Sequence, residues 1–172
     1  MTNFINPFCR LGALALALAA CNVRSSAPLV INEVLPSNQS FCTDQAGEHD
    51  DWVEIYNKSA NAMDLQNYSL TDDTASPRKS VLPAGIAIEG GATLLLWADG
   101  APEQGADHLS FKLKAQGEEI VLYDPDQKEV DLFRWADAVG DVSFARVPDG
   151  TGDFVRCAKP TCGRLNGSSC SP

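Results

Sequence analysis

A chain of 172 residues carrying a formal net charge of −10 holds one domain and little more. With 44% hydrophobic and 21% charged residues it can bury a core and is not globally disordered, and its acidity excludes an electrostatic docking surface for nucleic acid or anionic lipid headgroups. Six cysteines are many for this length and point to an oxidising compartment or to metal ligation.

Residues 1–20 have the pattern of an export signal. Arg10 precedes the unbroken apolar run Leu11–Ala20. Ten residues are half of the roughly 20 needed to span a bilayer, but they fit the apolar region of a signal peptide. The run ends Leu18-Ala19-Ala20-Cys21, which resembles the bacterial lipobox. That resemblance implies a diacylglyceryl group on the Cys21 sulfur and cleavage that makes Cys21 the mature N-terminus. It also implies a bacterial envelope location, held by acyl chains rather than by a spanning helix. Asn22 is not Asp, which by resemblance to sorting rules of some Gram-negative bacteria favours the outer membrane. Removing residues 1–20 leaves 12 basic against 23 acidic side chains, a net charge of −11. Residues 21–28 are small and polar after the cysteine and read as a tether.

Beyond the tether no long segment has a 3.6-residue apolar period. Short apolar or alternating runs recur between turn residues. The first expected strand is Leu29–Leu35, stopped by Pro36. The second, Asp51–Asn57, alternates, with Val53 and Ile55 on one face and Trp52, Glu54 and Tyr56 on the other. Further strands are expected at 68–71, 93–98, 109–113, 119–123, 130–135, 142–147 and 154–157. Asp124-Pro125-Asp126-Gln127 and Pro148-Asp149-Gly150 are turns. Many short strands between Gly and Pro turns predict an all-β sandwich or barrel.

The runs Val30-Ile31-Asn32-Glu33-Val34 and Asp51-Trp52-Val53-Glu54-Ile55-Tyr56-Asn57 resemble the opening of a lamin tail domain. The likeness continues, in order, through Asp64–Asp73, Leu82-Pro83-Ala84-Gly85, Leu94–Asp99, Phe111-Lys112-Leu113 and Glu119–Asp124. It closes with Ser143–Gly150 and Pro160–Asn166. It covers residues 29–167, leaving 168–172 as a C-terminal tail, and implies an immunoglobulin-like β-sandwich without catalytic residues. Two positions depart from the pattern: Gln127 stands where the family usually has a turn Gly, and Cys162 where it has Pro.

Cys9 falls in the export signal and Cys21 takes the lipid, so Cys42, Cys157, Cys162 and Cys170 remain. An even number in an exported domain predicts two disulfides, with three possible pairings. The expected one is Cys42–Cys157 with Cys162–Cys170, joining the early loop to the last strand and folding back the tail. The rival is zinc on Cys157 and Cys162, but His49 and His108 lack a paired ligand spacing, and no metal site or cofactor is assigned. Acidic residues gather at Asp44, Glu48, Asp50 and Asp51, and at Asp72 and Asp73 with Asp99. Such oxygen-rich loops can hold calcium, although neither has EF-hand spacing. Trp52, Trp97 and Trp135 offer either a sugar-stacking face or core packing, and the sandwich favours core.

No nucleophile with a neighbouring base emerges, so an enzyme is not expected. The leading expectation is a membrane-tethered, non-catalytic interaction or structural module of the envelope. Its partner would be an unidentified protein or glycan, and not nucleic acid. A polysaccharide- or calcium-binding module is the alternative, and a hydrolase the last. The acidity predicts no retention on duplex DNA at physiological salt. Binding with a steep salt dependence in a filter assay would contradict it.

Overall fold

The computed structural model describes residues 27–170. The strands are β1 (Leu29–Leu35), β2 (Trp52–Asn57), β3 (Met63–Asp64), β4 (Ser69–Thr71), β5 (Ser80–Val81) and β6 (Ala87–Ile88). They continue as β7 (Thr93–Trp97), β8 (Glu118–Tyr123), β9 (Glu129–Trp135), β10 (Ser143–Val147) and β11 (Asp153–Cys157), followed by one 3-10 turn, Gly167–Cys170. Every ladder is antiparallel. One sheet runs β11-β10-β1-β2-β7, the other β5-β4-β8-β9, and β3 pairs with β6 at the side. The expected all-β sandwich is what forms.

The core lies between the two larger sheets. Leu29, Ile31, Val34, Val53, Ile55 and Leu96 from one meet Leu70, Ile120 and Leu122 from the other. Strict alternation would put Leu29, Ile31, Glu33 and Leu35 on one face. A bulge at Asn32 prevents this. Ile31 pairs with Ile55 and Glu33 with Glu54, so Asn32 has no opposite number and the phase reverses behind it. Val34 thereby joins the core, while Glu33 and Leu35 turn to the sheet's outer face. The ladder to β10 begins only at Glu33. Ahead of it, side chains take over the β1 backbone. The Ile31 amide donates to Asp131 Oδ2 (2.9 Å), and Arg146 Nε donates to the Ile31 carbonyl (2.8 Å). Arg146 and Asp131 are themselves paired at 2.9 Å, joining the two sheets. At the same junction Phe133 of β9 packs, with its ring tilted, against Phe144 of β10 and Phe154 of β11.

The stretch 109–113 corrects the expected strand map. Leu109, Phe111 and Leu113 are buried in alternation as a strand's would be, yet the segment runs in no sheet. Its backbone is held at the end of β7 instead, where the Leu109 amide donates to the Trp97 carbonyl. Alternation reports which face is buried and not whether a neighbouring strand exists to pair with. At the Asp124 turn, Gln127 has φ +62°, the left-handed conformation that a Gly adopts without a Cβ penalty. The residue departs from the family pattern and the backbone does not. Cys162 has φ +48°, which a proline locked near about −65° could not reach.

The disulfides are Cys42–Cys162 and Cys157–Cys170, so two are formed as expected but with different partners. Cys42 packs with Leu35, Trp52 and Trp97, over the β1-β2-β7 side of the sheet. Cys157 ends β11, the opposite edge. With strands about 4.8 Å apart, three strand spacings put the two well beyond the roughly 7 Å Cα separation a disulfide can close. The tail solves the geometry by crossing the outer face. Cys162 reaches the Trp52 cluster, and the chain then returns so that Cys170 meets Cys157. The links close sequence separations of 120 and 13 residues, for which chain entropy assigns about 5 and about 3 kcal/mol. Non-reducing peptide mapping should recover these two pairs. Urea unfolding should show the double variant Cys42→Ala/Cys162→Ala less stable than Cys157→Ala/Cys170→Ala. The reverse order would contradict the crossing tail as the dominant clamp.

Candidate functional site

The outer face of the β1-β2 pair carries a buried polar seam. Glu33 and Glu54 are cross-strand neighbours, and both are fully buried. Like charges directly opposite repel, so the seam must supply donors or protons. Glu33 takes donors from the returning tail and from β10. The Ser143 hydroxyl donates to Oε1, the Thr161 hydroxyl to Oε2, and the Thr161 amide reaches both at 3.2 Å. Glu54 has less: Asn32 Nδ2 donates to Oε1 (3.0 Å), the Gly163 amide is only a weaker neighbour, and Oε2 is buried without a hydrogen bond of normal geometry from the described residues.

The bulge residue joins every part. Asn32 Nδ2 also donates to Asp149 (2.9 Å), its Oδ1 accepts the Gly150 amide (2.9 Å), and its carbonyl accepts Asn166 Nδ2 (3.2 Å). Asn166 donates further to the Arg146 carbonyl (2.9 Å), and its amide donates to Asp149 Oδ1 (2.8 Å). Sequence reasoning did not assign this network. Its signal was present all the same: Asn32-Glu33, Glu54, Asp149-Gly150, Thr161 and Asn166 all lie in the segments that carry the family resemblance.

Burial is the main cause that raises the Glu54 pKa, to about 8, with the charges of Glu33 and Asp149 adding to it and the Asn32 hydrogen bond and, more weakly, the Gly163 amide opposing. Burial also raises Glu33, against the pull of Ser143 and Thr161. Of the pair, Glu54 has fewer donors and keeps its proton at neutral pH.

At the end of the sandwich where β1 stops, the loop to β2 brings Asp44, Glu48 and Asp50 together, with one carboxylate oxygen of each within 4.8 Å of the others. Asp51 is drawn away and accepts the Asn38 amide (2.9 Å); burial lifts its pKa to about 6. The other acidic group does not converge. Asp72 pairs with Lys79 at 2.5 Å, Asp73 accepts the Ala75 amide (2.9 Å), and Asp99 holds His108 Nδ1 at 2.6 Å. Burial works against protonating His108, but Asp99, Asp107 and Asp44 outweigh it and raise its pKa.

The Asp99–His108 pair looks like two parts of a hydrolase triad, and a groove of about 310 Å³ lies beside it, lined by His108, Ser80 and Ser110. The hydrogen bonds of both serines go to groups other than His108. Ser110 Oγ donates to the Lys79 carbonyl (2.7 Å), and Ser80 Oγ accepts the Ser110 amide (3.1 Å). His108 Nε2 faces Asp107 at 4.0 Å, so the pair braces a loop. The three tryptophans are all at least nine-tenths buried and form no stacking face. All four cysteines of the described domain are oxidised, which leaves no thiolate for zinc. Cys21 lies outside the described residues.

Two packed antiparallel sheets, a bulged first strand and a tail sealed across the outer face define an immunoglobulin-like domain. The chain belongs to the lamin tail domain family, whose model matches residues 22–137. It is a family of non-enzymatic immunoglobulin-like domains. No curated protein matches the chain. Strands β10 and β11 and the tail, which supply Ser143, Asp149, Thr161 and Asn166 to the seam, follow the matched segment.

The seam makes stability depend on pH in a definite direction. From the ordinary 4.5 to about 8 the folded chain holds on Glu54 a proton that the unfolded chain has lost. Stability is therefore full below that window and falls as pH rises through it, by up to about 1.4 kcal/mol per pH unit. Glu33 and Asp51 act in the same sense. Urea denaturation should give a higher unfolding free energy at pH 5 than at pH 8, and Glu54→Gln should flatten the slope and stabilise the domain at pH 8. An unchanged slope in the variant would show that Glu54 is not the titrating group.

Proposed function

We propose that this protein is a lipid-anchored, non-catalytic module of a bacterial envelope that presents one end of its sandwich to another envelope protein or glycan. The observation that carries the reading is the spacing between the anchor motif and the fold. Leu18-Ala19-Ala20-Cys21 has the lipobox pattern, and β1 begins at Leu29. Eight residues extend at most about 3.3–3.6 Å each, so the tether reaches less than roughly 30 Å.

A short tether orients what it carries. It enters at the start of β1, where the Lys58 amide donates to the Pro28 carbonyl. The turn after β2 and the Pro148–Gly152 turn share that end, by the antiparallel registers. The loops at 36–51, 98–108 and 136–142 lie at the other end, away from the anchor.

Those distal loops are tied to each other, which suits a binding surface. Asp141 accepts from the Gln39 amide (2.7 Å) and the Ser40 hydroxyl (2.6 Å), and its own amide donates to the Ser37 carbonyl (2.8 Å). Phe41 and Val139, both well exposed for apolar side chains, belong to these two loops. The net charge of −11 after removal of residues 1–20 favours partners other than nucleic acid.

Cys21→Ser should abolish incorporation of a labelled fatty acid and leave an unprocessed or misrouted protein. Undiminished labelling of the variant would overturn the anchor. With the anchor intact, a photo-crosslinker at Phe41 should capture an envelope component more efficiently than one at Glu89, beside the tether. Equal or reversed capture would overturn the distal orientation.

A further inference from the structure

We propose that the loop between β1 and β2 is a calcium site built from the carboxylates of Asp44, Glu48 and Asp50. The inference concerns this loop alone and does not depend on the anchor. Two features carry it, the convergence of the three groups and the burial, without a hydrogen bond from the described residues, of one oxygen each on Asp44 and Asp50.

The convergence has the right size. One oxygen from each residue lies within 4.8 Å of the others. Two oxygens on opposite sides of a calcium ion, each bonded at about 2.3–2.6 Å, are about that far apart. The donor set is all hard oxygen, which selects calcium over zinc.

The second feature is the state of the carboxylate oxygens. Asp44 is only 9% exposed, and its Oδ1 accepts the Glu48 amide at 2.8 Å. Its Oδ2 is buried and accepts no hydrogen bond from the described residues, and Asp50 Oδ2 is in the same condition. A buried carboxylate oxygen with neither donor nor cation is costly, and native folds rarely keep one. Here the two belong to carboxylates that converge with a third.

The loop is held in shape independently of any ion. Asn38 Nδ2 donates to the carbonyls of Cys42 (2.8 Å) and Asp50 (2.9 Å), drawing the two ends of the loop together. His49 Nδ1 contacts the Cys42 carbonyl at 3.1 Å, and Cys42 is fixed to the tail through Cys162. Gly47, at φ +84°, makes the turn that returns Glu48 toward Asp44. Gln104 reaches across from the loop after β7, its amide nitrogen 3.5 Å from Glu48 Oε2. Its amide oxygen and water are the natural sources of the remaining ligands, since calcium takes six to eight oxygens. With three carboxylates from the protein, the affinity should fall in the range of extracellular modules, about 10⁻⁴–10⁻³ M.

The test is calorimetric titration of calcium chloride into the full chain, purified in a non-ionic detergent and stripped with EDTA, alongside thermal unfolding with and without calcium. The expected result is saturable binding of one calcium per chain, a raised Tm, and weaker binding of magnesium. Asp44→Asn should lower the affinity at least tenfold, yet in EDTA melt no lower than the native chain, because it relieves repulsion. Glu48→Gln changes an exposed side chain that leaves the fold undisturbed, and should weaken binding several-fold. The site is overturned if no saturable binding appears at millimolar calcium, or if both variants bind as the native chain does.

Discussion

Two buried glutamates face each other across β1 and β2, and much of the domain's architecture follows from that pairing. Glu33 and Glu54 come into register because Asn32 bulges out of β1. The bulge reverses the alternation, sends Val34 into the core and turns Glu33 outward. An outward glutamate would be unremarkable in water. Here it is sealed beneath the C-terminal segment, and the fold must provide donors for one carboxylate and a proton for the other. Thr161 and Ser143 supply the donors for Glu33, and burial supplies the condition under which Glu54 stays neutral.

The same demand explains the path of the tail. After β11 the chain crosses the sheet toward β7 and comes back, placing Thr161 on Glu33 and Asn166 on the carbonyl of the bulged residue. A bulge leaves a backbone group without a ladder partner, and Asn166 is the residue that satisfies it. The two disulfides sit at the turning points of this path. Cys162 is fixed where the crossing reaches the Trp52 cluster, and Cys170 where it returns to β11. The outer face of the sheet is thus a second, smaller core, half apolar and half hydrogen-bonded.

The two ends of the sandwich are built differently. One receives the chain from the N-terminal segment. The other gathers the loops held by Asn38, Asp141 and Cys42, together with the Asp44–Asp50 carboxylates. The clamps are of different kinds: Asn38 bonds the backbone of its own loop, Asp141 ties its loop to residues 39 and 40, and Cys42 is fixed covalently to the tail. A module of this kind acts by presenting a shape and a charge pattern, in keeping with a family of non-enzymatic domains.

What the amino-acid order determined alone was local or compositional. Turn residues between short apolar runs specify an all-β fold, and the collinear motifs from Val30 to Asn166 identify the family, since each depends on neighbours in the chain. Even the anomaly at Gln127 was visible, because a turn Gly is missing from a position whose backbone still adopts φ +62°. The tertiary structure decided what depends on distance between strands. The cysteine pairing could not be read, because which cysteines meet is set by the order β11-β10-β1-β2-β7 and by a tail that crosses it. Residues 109–113 carried a strand's alternation without a strand's partner. The acidic residues looked alike in sequence, and only the folded loop separates Asp44, Glu48 and Asp50, which converge, from Asp72, Asp73 and Asp99, which each find a local partner. Periodicity records burial one residue at a time; pairing, convergence and the protonation of a buried acid belong to the space between segments, which no single segment encodes.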